Sequence, residues 1–267
     1  MQDLKVTLIQ SFLHWENAEG NLLHFENILQ SLRGSTDLII LPEMFTTGFS
    51  TNAEKLAEEM DGRTIQWMRH LANEINTVIT GSLIIHEDGK FFNRLIWMRP
   101  DGTYEYYDKR HLFGLGDEHK HYSAGNKKII VSLKEWNICP LICYDLRFPV
   151  WCRNRPQTTD HRSQYDLLLF VANWPQKRSS AWKSLLQARA MENQTFVAGV
   201  NRIGNDGKGD YHSGDSALID PLGEVVFTQT DTAFAKTFIL SKERLQFIRK
   251  KLPFFHDADD FQVKAES

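Results

Sequence analysis

Apolar and polar positions along the chain fall into short blocks, and the period of each block predicts an element. Blocks rich in β-branched and aliphatic residues lie at 6–10, 37–41, 77–85, 93–99, 128–133, 137–143, 166–172 and 195–201, with later ones at 216–220, 224–228 and 233–239. Their length and composition predict strands. Helical spacing appears between several of them. Leu22, Leu23, Phe25, Ile28, Leu29 and Leu32 form one buried stripe ahead of Gly34, and Ile65, Met68, Leu71, Ala72 and Ile75 form a second. Trp182, Leu185, Leu186 and Ala190 form a third, opened by Ser179-Ser180 and closed near Asn193.

Strands alternating with helices predict an α/β protein. Three turn signals modify that picture: Glu87-Asp88-Gly89, Pro100-Asp101-Gly102 and Asp220-Pro221-Leu222-Gly223. Each reads as a hairpin turn, so antiparallel pairs are mixed into the sheet. A sheet-rich α/β sandwich with helices outside fits better than a doubly wound parallel sheet. No repeat, low-complexity tract or Gly/Ser/Pro-rich linker divides the chain, which reads as one domain over 1–267 with a tail from about 241.

The 267 residues carry 42% hydrophobic and 24% charged side chains, ordinary values for a folded protein. A net charge of −3 gives no concentrated basic face for nucleic acid. Lys127-Lys128 and Arg249-Lys250-Lys251 read as solvated faces or helix ends. The N-terminus runs straight into apolar alternation, so no signal peptide is expected, and no stretch reaches the roughly 18–20 apolar residues of a membrane span. Three cysteines cannot build a disulfide framework. A cytoplasmic enzyme is the simplest class.

Three segments can carry chemistry. In Leu141-Ile142-Cys143-Tyr144-Asp145-Leu146-Arg147-Phe148-Pro149 an apolar strand ends at a cysteine, with polar residues directly after it. A thiol at the carboxyl end of a buried strand is placed as a nucleophile, and the next backbone N–H groups can meet an oxyanion. A small buried hydrophobe is the other reading of that cysteine. Along a strand Cys139 and Cys143 stand about 13 Å apart. That excludes a shared metal or disulfide, so Cys139 and Cys152 read as core. A thiol needs a base or cation beside it to react at neutral pH. Leu41-Pro42-Glu43 supplies a carboxylate at the end of another strand, although lone glutamates are usually surface charges. Tyr106-Tyr107-Asp108-Lys109-Arg110-His111 supplies an amine after a strand-like stretch, although such a lysine is usually exposed or ion-paired.

Taken together, these segments resemble the nitrilase superfamily of carbon–nitrogen hydrolases, whose members use a Glu–Lys–Cys triad. The order agrees, and the likeness continues through Asn173-Trp174-Pro175, Ala188-Arg189-Ala190-Met191-Glu192-Asn193, Val200-Asn201-Arg202, Ser213-Gly214-Asp215-Ser216 and Asp220-Pro221-Leu222-Gly223. It spans the chain from the first strand to about Leu240. Lys109-Arg110-His111-Leu112-Phe113-Gly114, Asp117-Glu118-His119, the Tyr144 context and the 252–261 tail are most similar to the ω-amidase branch, which hydrolyses 2-oxoglutaramate and related ω-monoamides. The resemblance implies an α-β-β-α sandwich, a homodimer and a small-molecule amide as substrate. Glu43, Lys109 and Cys143 take the triad positions. Glu118 matches a second active-site carboxylate by its spacing to Tyr122 and Gly125, with Asp117 beside it.

An ω-amidase substrate carries a carboxylate, which calls for a cation in the pocket. Arg147 and Arg202 are the candidates, and Arg147 can equally pair with Asp145, the reading preferred from sequence. The Tyr144 N–H is an oxyanion donor, and Trp174 a pocket wall or an ordinary packing residue. No metal or organic cofactor is expected, since the chain has neither a Walker-type loop nor a clustered His/Cys set. His111, His119 and His121 read as surface histidines. Three rivals remain: the same triad acting on an N-carbamoyl compound, a nitrile or another amide; a catalytically silent scaffold; and a thiol-redox protein, which lacks a Cys-x-x-Cys pair.

Overall fold

The computed structural model describes residues 1–154 and 165–259. The strands are β1 Leu4–Gln10, β2 Leu38–Ile40, β3 Val78–Glu87, β4 Lys90–Met98, β5 Tyr104–Asp108, β6 Val131–Leu133, β7 Trp136–Ile142, β8 Leu167–Ala172, β9 Phe196–Asn201, β10 Ile203–Asn205, β11 Tyr211–Ile219, β12 Val225–Thr230 and β13 Phe234–Leu240. The longer helices are α1 Ala18–Gln30, α2 Arg63–Ile75, α3 Ser179–Asn193 and α4 Lys242–Lys251. One sheet runs β13-β1-β2-β3-β4-β5, and the other runs β10-β11-β9-β8-β7-β6 with β12 on β11. Parallel pairs at β1-β2-β3 and β7-β8-β9 sit beside antiparallel hairpins, so both sheets are mixed.

Period-2 alternation explains why the sheets stack. Leu38 and Ile40 enter the core between the sheets, while Ile39 and Leu41 point into the outer layer with α1 and α2. Leu95 and Trp97 against Ile96 and Met98 repeat the division on β4. Both strands are therefore apolar on two faces and read as continuous runs. The helix stripes expected around 22–32 and 65–75 are α1 and α2, and they pack on this first sheet. The third stripe is α3, with Trp182 and Leu186 close to Gly199 of β9: a Cβ on Gly199 would meet them at 2.7–2.8 Å. Ser179 starts α3 without capping it; its hydroxyl donates instead to Asp215 at 2.7 Å.

The hairpin turns fall where expected. Asp88 and Gly89, at φ +50° and +71°, connect β3 to β4 as a turn that needs left-handed residues. Asp220 accepts from the N–H groups of Leu222 and Glu224 and closes the β11–β12 turn. The run at 128–133 contributes only Val131–Leu133 to the sheet, and the run at 216–220 starts earlier, at Tyr211. Helix α4 was not legible: it is mostly charged and buries only Lys242, Leu245 and Ile248. The Arg249-Lys250-Lys251 cluster is its last turn, as a helix end. Of the tail motif, Asp260 and Phe261 lie outside the described residues.

Phe25 is fully buried under the first sheet, its ring 5.8 Å from that of Phe45 just beyond β2. Phe25→Ala is expected to lower unfolding free energy by about 3–5 kcal/mol, read from the urea midpoint. A loss below about 1 kcal/mol would mean that this layer does not support the fold.

Candidate active site

Glu43, Cys143 and Asn173 all follow the carboxyl ends of parallel strands, the edge where open α/β sheets place their crevices. The chain leaves β2 through Leu41 and Pro42, and Met44 adopts a left-handed φ of +44°. Ser82 holds this turn by accepting the Met44 N–H on its hydroxyl at 2.9 Å. Glu43 is fully buried. Its Oε1 accepts from Lys109 Nζ at 2.9 Å and Asn93 Nδ2 at 2.8 Å, and its Oε2 accepts the Asn173 N–H at 2.8 Å. The Asn173 side chain donates to the Glu43 carbonyl at 2.6 Å, so the two sheets are stapled at this point.

Lys109 follows β5 and is 1% exposed. Its backbone N–H donates to Asn93 O and its carbonyl accepts from Gly125, both at 3.0 Å. Its ammonium also donates to Glu118 Oε1 and Oε2 at 3.0 and 2.9 Å. Burial alone would lower the lysine pKa, but the Glu118 and Glu43 carboxylates outweigh it and the net shift is upward. Lys109 is therefore a fixed cation. Glu118, fully buried on a single helical turn, is shifted up by burial against the pull of Lys109. The neighbouring Asp117 is exposed and pairs with Lys120 at 3.0 Å. Its φ of +57° turns the chain so that Glu118 enters the interior.

Cys143 sits at the step from β7 into a helical turn over Cys143–Arg147, with φ +43°. This strained left-handed step lifts the thiol toward the crevice. The Glu43 carboxylate and the Lys109 ammonium both act on the Cys143 side chain. Burial raises the thiol pKa well above its usual range, Glu43 adds to the shift, and Lys109 opposes it. The resting group is thus a thiol. Carboxylate, ammonium and sulfur from three distant segments thus lie at one edge of the two sheets.

The thiol opens onto a cavity of about 320 Å³ that Lys109, Tyr144, Phe113, Arg147 and Trp174 help to line. Of the two readings left open for Trp174, the structure places it on the cavity wall. Arg147 is not the partner of Asp145: its guanidinium lies over the Trp174 ring at 4.8 Å. Asp145 turns inward and bonds the Ile142 N–H, Tyr107 and His111 instead. Arg202 is also displaced from its expected role, since it is buried away from the cavity and donates to the Ile203, Asn205 and Leu13 carbonyls. His111 is no surface histidine either. It is half-buried and stacked on Phe148 at 3.7 Å, whereas His119 and His121 are exposed.

Sequence reasoning missed Arg178, which lines the cavity with its guanidinium 5.0 Å from the Phe113 ring. Its signal was its place just after Asn173-Trp174-Pro175. Asn93 was missed as well, because a polar residue inside a strand announces nothing until its partners are known. The remaining cysteines are core, as read: Cys139 is fully buried, its thiol pushed up to about 12 by burial, and Cys152 donates to Asp145 O at 3.3 Å. Among the described residues no His/Cys/Asp/Glu group has metal-binding geometry.

A two-sheet sandwich with this constellation at the strand ends defines a hydrolase class, and the chain belongs to the carbon–nitrogen hydrolase family, whose model matches residues 5–241. It is similar to the protein named omega-amidase YafV of Escherichia coli (strain K12), with 45% identity over 98% of this chain and 100% of that one. The 2-oxoglutaramate amidase of Bacillus subtilis (strain 168) is 32% identical over 94% of this chain and 96% of that protein. Among solved structures, XC1258 from Xanthomonas campestris, a CN-hydrolase superfamily protein with an arsenic adduct in its active site, superposes with a TM-score of 0.96. It is 45% identical, covering 99% of this chain and 100% of that one.

Iodoacetamide is expected to alkylate Cys143 in the folded protein while sparing Cys139 and Cys152, as read by peptide mass mapping. Because the Cys143 thiol is raised, its labelling rate is expected to keep climbing above pH ~9, where an ordinary thiol levels off. Uniform labelling of all three cysteines would contradict the placement.

Proposed function

We propose that the chain is an ω-amidase: it hydrolyses the terminal amide of a small carboxylate such as 2-oxoglutaramate or 2-oxosuccinamate to the acid and ammonia. The observation that carries this reading is the buried Glu43 carboxylate, bonded to Lys109 Nζ beside a cavity onto which Lys109, Cys143 and Arg147 all open. The near-full-length similarity to the Escherichia coli protein named an omega-amidase supports the same substrate class.

In this mechanism Glu43 accepts the Cys143 proton as sulfur attacks the amide carbon. The Lys109 ammonium and the Tyr144 N–H hold the oxyanion. Glu43 passes the proton to the leaving nitrogen, the C–N bond breaks, and ammonia departs from a thioester. Water, deprotonated by Glu43, then releases the acid and restores the thiol. The reaction balances with water alone. Glu118 fixes Lys109 through both carboxylate oxygens. Arg147 receives the substrate carboxylate, because no carboxylate pairs with it among the described residues. Arg178, also lining the cavity, adds positive charge. The reading extends to a homodimer in the cytoplasm. Light scattering checks the dimer; no helix among the described residues is long and apolar enough to cross a membrane.

Ammonia release from 2-oxoglutaramate and succinamate, set against a ureido acid and a nitrile, tests the substrate class. Turnover of the last two with none of the amides would overturn it. Lys109→Met is expected to cut kcat about 10²–10³-fold and Glu43→Gln about 10²–10⁴-fold. Cys143→Ala removes the acyl adduct seen by intact mass. Arg147→Ala is expected to raise KM for carboxylate-bearing amides by about 10–100-fold while sparing a neutral amide.

A further inference from the structure

Asp145 is fully buried and takes no part in the steps above, yet its carboxylate collects four donors. The Ile142 N–H reaches Oδ2 at 3.1 Å, one residue before the nucleophile. Tyr107 OH reaches the same oxygen at 2.7 Å. The His111 backbone N–H and Nδ1 reach Oδ1 at 3.1 and 2.7 Å. Tyr107 and His111 flank Lys109 by two residues on either side. They belong to the first sheet and the loop leaving it, whereas Ile142 and Asp145 belong to the second.

The supporting contacts all keep these donors in place. Tyr107 OH itself accepts from Trp151 Nε1 at 3.0 Å and from the Arg110 N–H at 3.2 Å. Burial and the Asp145 charge hold the Tyr107 phenol far above its ordinary pKa, so it stays a donor. The His111 ring is stacked on Phe148 and meets Trp151 edge-on. The Lys109 backbone is bonded to Asn93 and Gly125, and the bonds that tie its flanking residues Tyr107 and His111 to the nucleophile turn run through Asp145.

We propose that Asp145 is a positioning residue that clamps the segment carrying Lys109 to the turn carrying Cys143, fixing the spacing between ammonium and sulfur. The inference rests on the hydrolytic reading above. Its consequence is separable in degree, because alkylation of Cys143 feels Lys109 only through the thiol's ionisation, while amide hydrolysis also needs Lys109 at oxyanion distance. Misplacing a reacting group by about 1 Å costs on the order of 10²-fold in rate.

The test measures kcat and KM for succinamate, together with the iodoacetamide rate at Cys143, in Asp145→Asn, His111→Leu and His111→Asn. Asp145→Asn and His111→Leu are expected to lower kcat about 10–100-fold, with KM nearly unchanged and the alkylation rate lowered far less than kcat. His111→Asn restores an N–H where Nδ1 stood and is expected to recover most of kcat. Alkylation falling in step with kcat would overturn the proposal, since the carboxylate would then support only the cysteine turn. So would an unchanged kcat in His111→Leu, the variant that decides if Asp145→Asn does not fold. A wild-type protein that is alkylated at Cys143 yet releases no ammonia from any amide sinks the hydrolase reading itself. Wild-type turnover with unaltered variants sinks the clamp alone.

Discussion

The structure depends on one buried cluster of charge, the Lys109 ammonium held between the Glu43 and Glu118 carboxylates. Each ion removed from water costs several kcal/mol, and mutual attraction offsets this only where the remaining hydrogen-bonding positions are filled. Here they are filled. Glu43 Oε1 receives Lys109 and Asn93, and its Oε2 receives the Asn173 N–H. Glu118 Oε1 receives Lys109 and Asn93, and its Oε2 receives Lys109 and the Phe113 N–H. These donors come from β4, from the loop after β5 and from the end of β8. The cluster therefore joins the sheets at the edge where the cavity opens.

Burial is the main reason the Cys143 thiol is shifted up, with Glu43 adding to the shift and Lys109 opposing it. A thiolate would also be a third anion beside two carboxylates and one ammonium. Transfer of the proton to Glu43 avoids this. One anion appears on sulfur as another disappears from the carboxylate, and the number of charges in the cavity stays constant. Proton transfer and attack are thereby linked. The upward shift of Glu118 likewise comes mainly from burial, with Glu43 adding to it against the pull of Lys109.

Glu43, Lys109 and Cys143 were legible only when the three strand-end segments were taken together, since each alone reads equally as a surface charge or a core thiol. The sandwich was legible from runs such as Leu38–Ile40 that bury both faces. What failed were inferences from adjacency. Asp145 and Arg147, two residues apart in a helical turn, point to different places, one under the cysteine and the other across the Trp174 ring. Arg202 looked like a pocket cation, but three backbone carbonyls absorb it, and burial lowers its pKa to about 10. His111 looked solvated because its partner, Asp145, lies 34 residues away. Helix α4 escaped because packing of few apolar residues against the sheets, rather than periodicity, holds it.

Local strain marks the same points from another direction. Met44, Asp117 and Cys143 all have left-handed backbone, and each adjoins or carries one of the three groups around Lys109. Asp tolerates that region, whereas Met and Cys do not, and such residues cost on the order of 1–3 kcal/mol each. The strain persists because other bonds over-determine it: Ser82 holds Met44 and Asp145 holds Ile142. A regular exit from β2 or β7 would carry the next side chain along the strand direction and past the crevice. The sharp reversals put Glu43 and Cys143, from different sheets, beside the same ammonium. Strain at those two turns and charge at Lys109 are thus parts of one constraint, since neither turn has a reason to be held unless the buried cation lies between them.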